Sequence, residues 1–136
     1  MRARDLMTTN LVTIPPETPL ASVARLFAER GFSGAPVVDG DGKLLGMVTE
    51  ADLMRRLAAA EDKPRSWLAG LFSPAGNQAQ LFARTHGRTA ADVMTRNLLT
   101  AEEDTPVEKI AKALEDRQIR RVPVVRDGKL VGIVSR

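Results

Sequence analysis

The chain has 136 residues, 43% hydrophobic and 27% charged, which suits one globular domain with a real core. It contains no cysteine, excluding disulfides and thiolate chemistry, and no apolar run of the roughly 18 residues that a membrane helix needs. No apolar signal region follows Met1, so a cytoplasmic protein without a membrane partner is expected. The pI near 9.8 reflects a net charge of only +3, with basic and acidic residues interspersed and aromatics at 4%. Nucleic-acid binders concentrate their cations on one face and add stacking platforms, so this balance argues against nucleic acid as a partner.

In chain order, Val12-Thr13-Ile14 reads as a short strand. Thr18 and Pro19 read as the N-cap and first residue of a helix whose apolar face is Leu20, Val23, Ala24 and Phe27. Ala35-Pro36-Val37-Val38 is a strand, Asp39-Gly40-Asp41-Gly42 a turn, and Leu44 to Val48 the returning strand of a hairpin. A second helix starts at Thr49 and runs through Leu53, Met54, Leu57 and Ala58. The stretch from Glu61 to Thr89 is too long for an unstructured connection, and helical segments are expected there. Its apolar cluster of Trp67, Leu71 and Phe72 either covers the core or forms an interface.

The chain then repeats itself. Shifted by 87 positions, residues 3–39 match residues 90–126 at 14 of 37 positions without a gap, too many for coincidence. Ala3-Arg4-Asp5-Leu6-Met7-Thr8 returns as Ala90-Ala91-Asp92-Val93-Met94-Thr95, Thr18-Pro19 as Thr105-Pro106, and Pro36-Val37-Val38 as Pro123-Val124-Val125. Val107, Ile110, Ala111 and Leu114 rebuild the helix face, with Glu108 placed to complete a capping box on Thr105. After a one-residue deletion, Gly42-Lys43-Leu44 returns as Gly128-Lys129-Leu130 and Gly46 as Gly132. The organisation is therefore repeat one over 1–60, a linker over 61–89 and repeat two over 90–136. The fold class is α/β (α+β), with two β-α-β-β-α units packed sheet against sheet about a pseudo-twofold axis.

The ordered set Asp-[Leu/Val]-Met-Thr, helix, Pro-Val-Val, then Gly-apolar-Val-[Thr/Ser], present twice in register, resembles the tandem cystathionine-β-synthase (CBS) domain pair, or Bateman module. The resemblance covers everything but the linker. It implies a regulatory module without catalysis. Such modules bind AMP, ADP, ATP, and in some members NAD or S-adenosylmethionine, in crossed clefts between the repeats. It further implies a homodimer controlling a partner or an attached domain. Carried over by motif, the first cleft takes Met47, Thr49 and Asp52 from repeat one with Asn97, Leu98, Ile119, Arg120 and Arg121 from repeat two. The second takes Asn10, Leu11, Phe32, Ser33 and Gly34 with Ile133 and Ser135. The sequence ends at Arg136, before the acidic residue expected three positions after Ser135, so the last helix of repeat two is expected to be missing.

The first cleft also makes chemical sense by itself. Asp52 offers acceptors to two ribose hydroxyls, the helix start at Thr49 offers N–H groups to a phosphate, and Arg120 and Arg121 offer charge-assisted hydrogen bonds. Met47, Leu98 and Ile119 offer apolar contact to adenine. Ser33 and Gly34 stand where repeat two has the arginines, so the more phosphorylated ligand is expected in the first cleft. Taken alone, Thr49-x-x-Asp52 is equally a stabilising capping box, and Met7 and Met94 read as core packing. Enzyme readings lack parts. A single histidine, His86, supports no triad, no cluster has metal-ligand spacing, and no phosphate-binding glycine loop is present. The competing reading is a dimerisation or docking scaffold that binds no ligand.

Overall fold

A computed structural model of the chain describes residues 1–58 and 88–136. The expected helical linker, with Trp67, Leu71, Phe72 and His86, lies outside the described residues apart from its last two. Repeat one contributes α1 (Ala3–Leu6), α2 (Leu20–Arg30), β1 (Gly34–Val38), β2 (Leu44–Thr49) and α3 (Glu50–Ala58). Repeat two contributes α4 (Ala90–Val93), β3 (Ala101–Glu102), α5 (Val107–Asp116), β4 (Arg121–Arg126) and β5 (Lys129–Ser135).

Each repeat is organised around an antiparallel hairpin with the same irregularity in register, at Val37/Val38 in one and Val124/Val125 in the other. The strand expected over 12–14 shrinks to Ile14, paired in parallel with Val37. Its counterpart Ala101 pairs in parallel with Val124. The second hairpin turns on Asp127 and Gly128, both at positive φ (52° and 81°), the conformation an Asp-Gly pair provides for a two-residue turn.

The helix starts differ from expectation. Pro19 and Pro106 are not the first helical residues but the N-caps, with extended ψ of 142° and 141° and no side-chain cap bond. Thr18 and Thr105 stand one position too early to cap, and Glu108 closes no box. Their carbonyls do other work. Thr18 O accepts from Ala90 N–H at 2.9 Å and Thr105 O from Ala3 N–H at 2.8 Å. Each short N-terminal helix is thus tethered to the opposite repeat.

That exchange determines the architecture. One core joins Ile14, Leu20, Val23, Phe27, Val37, Val48 and Leu53 to Ala90 and Met94, which belong to repeat two by sequence. The other joins Ile110, Leu114, Val122, Val124 and Val134 to Ala3, with Met7 packed against it. The cores remain separate, and the halves interlock by trading segments. Backbone pairs repeat about the pseudo-twofold axis: Thr8 with Ile133 and Thr95 with Met47, each through two hydrogen bonds of 2.8–3.0 Å. Lys43 and Lys129, equivalent to one another, bridge across the axis itself. Met7 and Met94 pack where these segments cross. A Cβ on Gly132 would lie 2.5 Å from Met7 Sδ, and one on Gly46 2.7 Å from the Thr95 carbonyl, so both crossings are tight at these glycines.

The apolar faces of the two long helices are covered unequally. Leu20, Val23 and Ala24 on α2 are fully buried, with Leu53 of α3 in the same core. On α5, Ile110 and Leu114 are buried, but Val107 is half-buried and Ala111 exposed, contrary to the expected face. They border an open hollow of about 380 Å³ with Leu6 and Val134.

Candidate functional site

Two hollows open between the repeats, one on each side of the pseudo-twofold axis. The first, of about 510 Å³, is lined by Met47, Thr49, Leu98, Ile119, Arg120 and Arg121 of the expected first-cleft set. Ser33, expected in the second cleft, lines the first instead, and Glu50, Ala51, Met54, Thr95 and Gln118 complete the wall. The second hollow, of about 200 Å³, gathers Asn10, Leu11, Phe32, Gly34, Ile133 and Ser135 as expected, with Thr8, Val12, Pro36 and Arg121 added. Asn97 is not among the side chains lining the first.

Asp52 is also absent from that wall. Only 4% of the residue is exposed. Its Oδ2 accepts from Thr49 N–H at 2.9 Å and from Thr49 Oγ1 at 3.0 Å, while Thr49 Oγ1 accepts from Asp52 N–H at 3.2 Å. Its Oδ1 accepts from Thr95 Oγ1 at 3.2 Å and from the Arg55 guanidinium. The capping box seen in the sequence is therefore real, and it uses the carboxylate from both sides. Asp52 faces a separate small recess with Arg55, Arg56 and Asp92. The N–H groups expected to await a phosphate are also engaged, Glu50 N–H by the Ser33 carbonyl at 3.0 Å and Asp52 N–H by Thr49 Oγ1. The acid on the wall is Glu50, two residues earlier and exposed.

Both arginines of the expected set line the first hollow. Arg120 and Arg121 enter β4 side by side, and among the described residues no carboxylate forms an ion pair with either. Arg121 is half-buried, with Nη2 hydrogen-bonded to Ser33 Oγ. Burial first, and then the neighbouring Arg120 charge, hold its pKa below the ordinary guanidinium value, with Glu50 acting the other way. A cation in that position is short of negative charge, and an anion entering the hollow would relieve it.

Gln118 escaped the sequence reading. It sits at φ 53°, in the left-handed region, where its counterpart Gly31 has φ 67°. The signal was available, since glycine at a helix C-terminus marks this conformation and repeat two breaks the pattern. A strained side chain on the wall of a hollow is a common mark of a site under functional constraint. Among the described residues no group of three or more His, Cys, Asp or Glu is placed to hold a metal ion, and no helix is long and apolar enough to cross a membrane.

Two interlocked repeats with paired hollows between them define a tandem-repeat α+β module whose hollows are lined by both halves. The model of the CBS domain matches residues 3–59 and 90–136, and the chain belongs to that family as a tandem pair. It is 33% identical over 133 residues to the chloroplastic CBS domain-containing protein CBSX1 of Arabidopsis thaliana, covering 93% of this chain and 56% of that one. The chain thus spans just over half of that relative's length. Among solved structures, CBSX2 in complex with AMP aligns with a TM-score of 0.73 and 32% identity over 99% of this chain and 90% of that one. The CBS domain pair of protein MJ0100, in complex with 5′-methylthioadenosine and S-adenosyl-L-methionine, aligns with a TM-score of 0.70 and 27% identity, covering 99% and 89%.

Proposed function

We propose that the chain is a regulatory module that binds an adenine nucleotide in the first hollow and passes the occupied state to a partner or an attached domain. The observation that carries this reading is the half-buried Arg121 beside Arg120, neither paired with a carboxylate among the described residues, in a cavity of about 510 Å³. Drug-sized ligands occupy cavities of roughly 300–1,000 Å³ with apolar walls and a few convergent polar groups. Met47, Leu98 and Ile119 hold the base, Arg120 and Arg121 the phosphate, and Thr49 and Glu50 the ribose hydroxyls. Asp52 acts through Thr49, whose hydroxyl it fixes. The ligands of CBSX2 and MJ0100 support the adenosine class. Nothing in the constellation calls for catalysis or for a bound catalytic cofactor. Calorimetric titration with AMP, ADP, ATP, NAD and S-adenosylmethionine tests the proposal. Binding of at least one is expected, and failure of all at millimolar concentration would end it.

A second reading, a dimerisation or docking scaffold, draws on the open apolar hollow of about 380 Å³ beside Val107, Ile110 and Leu114. Light scattering with and without AMP separates the two. A homodimer whose size and stability ignore every nucleotide favours the scaffold.

A further inference from the structure

The two hollows are not independent pieces of surface. Arg121 lines both. Its guanidinium straddles the wall between them: Nη2 donates to Ser33 Oγ, and Ser33 borders the first hollow. Nη1 lies over Gly34, where a Cβ would approach it to 2.8 Å, and Gly34 borders the second. Gly34 and Arg121 are themselves equivalent positions of the two repeats, separated by the 87-residue shift. Only one of them can place a side chain in this shared space, and the repeat that lacks one makes room for the other. Arg120 lines the first hollow and not the second, so Arg121 is, among the described residues, the only charged side chain lining the second.

We propose that Arg121 is a single guanidinium shared between the two hollows, so that two phosphate-bearing ligands compete for it, whereas a nucleotide in the first hollow is compatible with an uncharged nucleoside in the second. This rests on the nucleotide reading of the first hollow and extends it to the ligand class of the second. A phosphate drawn against Arg120 recruits Arg121 to the same side, because two guanidinium groups hold one phosphate with more charge-assisted bonds than one. The second hollow then gains the space above Gly34 and loses its only lining cation. A neutral nucleoside loses nothing by that change, whereas a phosphate loses its counter-charge.

The amides of Leu98 and Leu11, equivalent residues lining the first and second hollows, report each site separately by nuclear magnetic resonance. In the parent chain, AMP is expected to shift Leu98 first, with the Leu11 midpoint higher by about tenfold, the factor one charge-assisted bond supplies. Adenosine added at saturating AMP is expected to shift Leu11 without that penalty. Filling the first hollow with Ala51→Trp, or from the next turn with Met54→Trp, frees Arg121 and is expected to lower the AMP midpoint at Leu11 by about tenfold. In an Arg121→Gln background the same plug is expected to change nothing at Leu11. A Leu11 response to AMP that ignores the plug, or that is missing from the plugged protein, overturns the sharing. The Leu98 titration in the parent chain would still report the nucleotide site. Silence of both amides toward AMP and adenosine would instead bring down the proposed function itself.

Discussion

Ser33-Gly34 and Arg120-Arg121 occupy equivalent places in two repeats whose backbones interlock through equivalent hydrogen bonds, yet one pair leaves space and the other fills it. The first hollow consequently holds two cations and about 510 Å³, while the second borrows one of those cations and has about 200 Å³. Duplication supplies two scaffolds for a site. Side chains near the axis then determine how many sites of each kind result, because the space between Gly34 and Arg121 holds a side chain from only one of them.

Removing the difference has the largest expected effect. The double substitution Arg120→Gln with Arg121→Gln should weaken AMP binding by about a hundredfold, two charge-assisted bonds at the low end of their range, and leave adenosine binding little changed. Calorimetry with both ligands reads this directly, and an equal loss for adenosine would show that the arginines shape the cavity rather than hold phosphate.

The two crossings should also prove unequal. Gly46→Ala forces a Cβ against the Thr95 carbonyl, which is backbone, whereas Gly132→Ala meets only the Met7 side chain, from Cβ to Sδ, which can shift. Overpacking costs of about 2 kcal/mol and under about 1 kcal/mol respectively are expected from urea unfolding. Equal costs would mean that the Met7 side chain is as confined as a peptide group.

Beside the first hollow, Glu50 takes the place on the wall that the sequence suggests for Asp52. Asp52→Ala should lose about 1–2 kcal/mol of stability, as for a lost cap in a buried setting, with AMP affinity changed less than about threefold. Glu50→Gln should do the reverse, keeping the melting temperature and weakening AMP by several fold. A large affinity loss in Asp52→Ala would return the ribose to that carboxylate.

Smaller still is the contrast at the helix ends. Gln118→Gly relieves a left-handed residue and should stabilise by about 1 kcal/mol, while Gly31→Gln should destabilise by about the same amount. Thermal melts of the pair test it.

The smallest effect concerns acid. Thr89 N–H donates to Asp92 at 2.8 Å, and this bond holds the Asp92 carboxyl below its usual value. A depressed carboxylate stabilises the fold above its unfolded pKa and loses that contribution as pH falls through the folded one. Asp92→Asn should therefore remove that contribution, lowering stability modestly at neutrality and flattening the profile below about pH 4. An unchanged acid limb would assign it to other carboxylates.

Much of this molecule was legible before any coordinates. The duplication, the helix faces on Leu20, Val23 and Phe27, both hairpins and the paired arginines follow from local periodicity, turn chemistry and self-comparison. Most residues expected around the two hollows line them, but Ser33 lines the other one, Asn97 and Asp52 line neither, and Glu50 and Gln118 were not singled out. These misplacements share a cause. Residues near a helix start or a strand entry can turn to either side, and competing hydrogen bonds choose between them. Asp52 had two threonines and an arginine within reach, so it turned inward.

The sequence by itself determined that there are two repeats, where the two hairpins and the longer helices lie, and which residue types were available for an anion. Only the tertiary structure decided that α1 and α4 exchange cores, that Glu50 rather than Asp52 lines the hollow, and that one guanidinium lies between two sites. Periodicity is a property of neighbours along the chain. The exchange, the choice of acid and the shared cation depend on groups far apart along the chain, as Arg121 and Ser33 are at a separation of 88 positions.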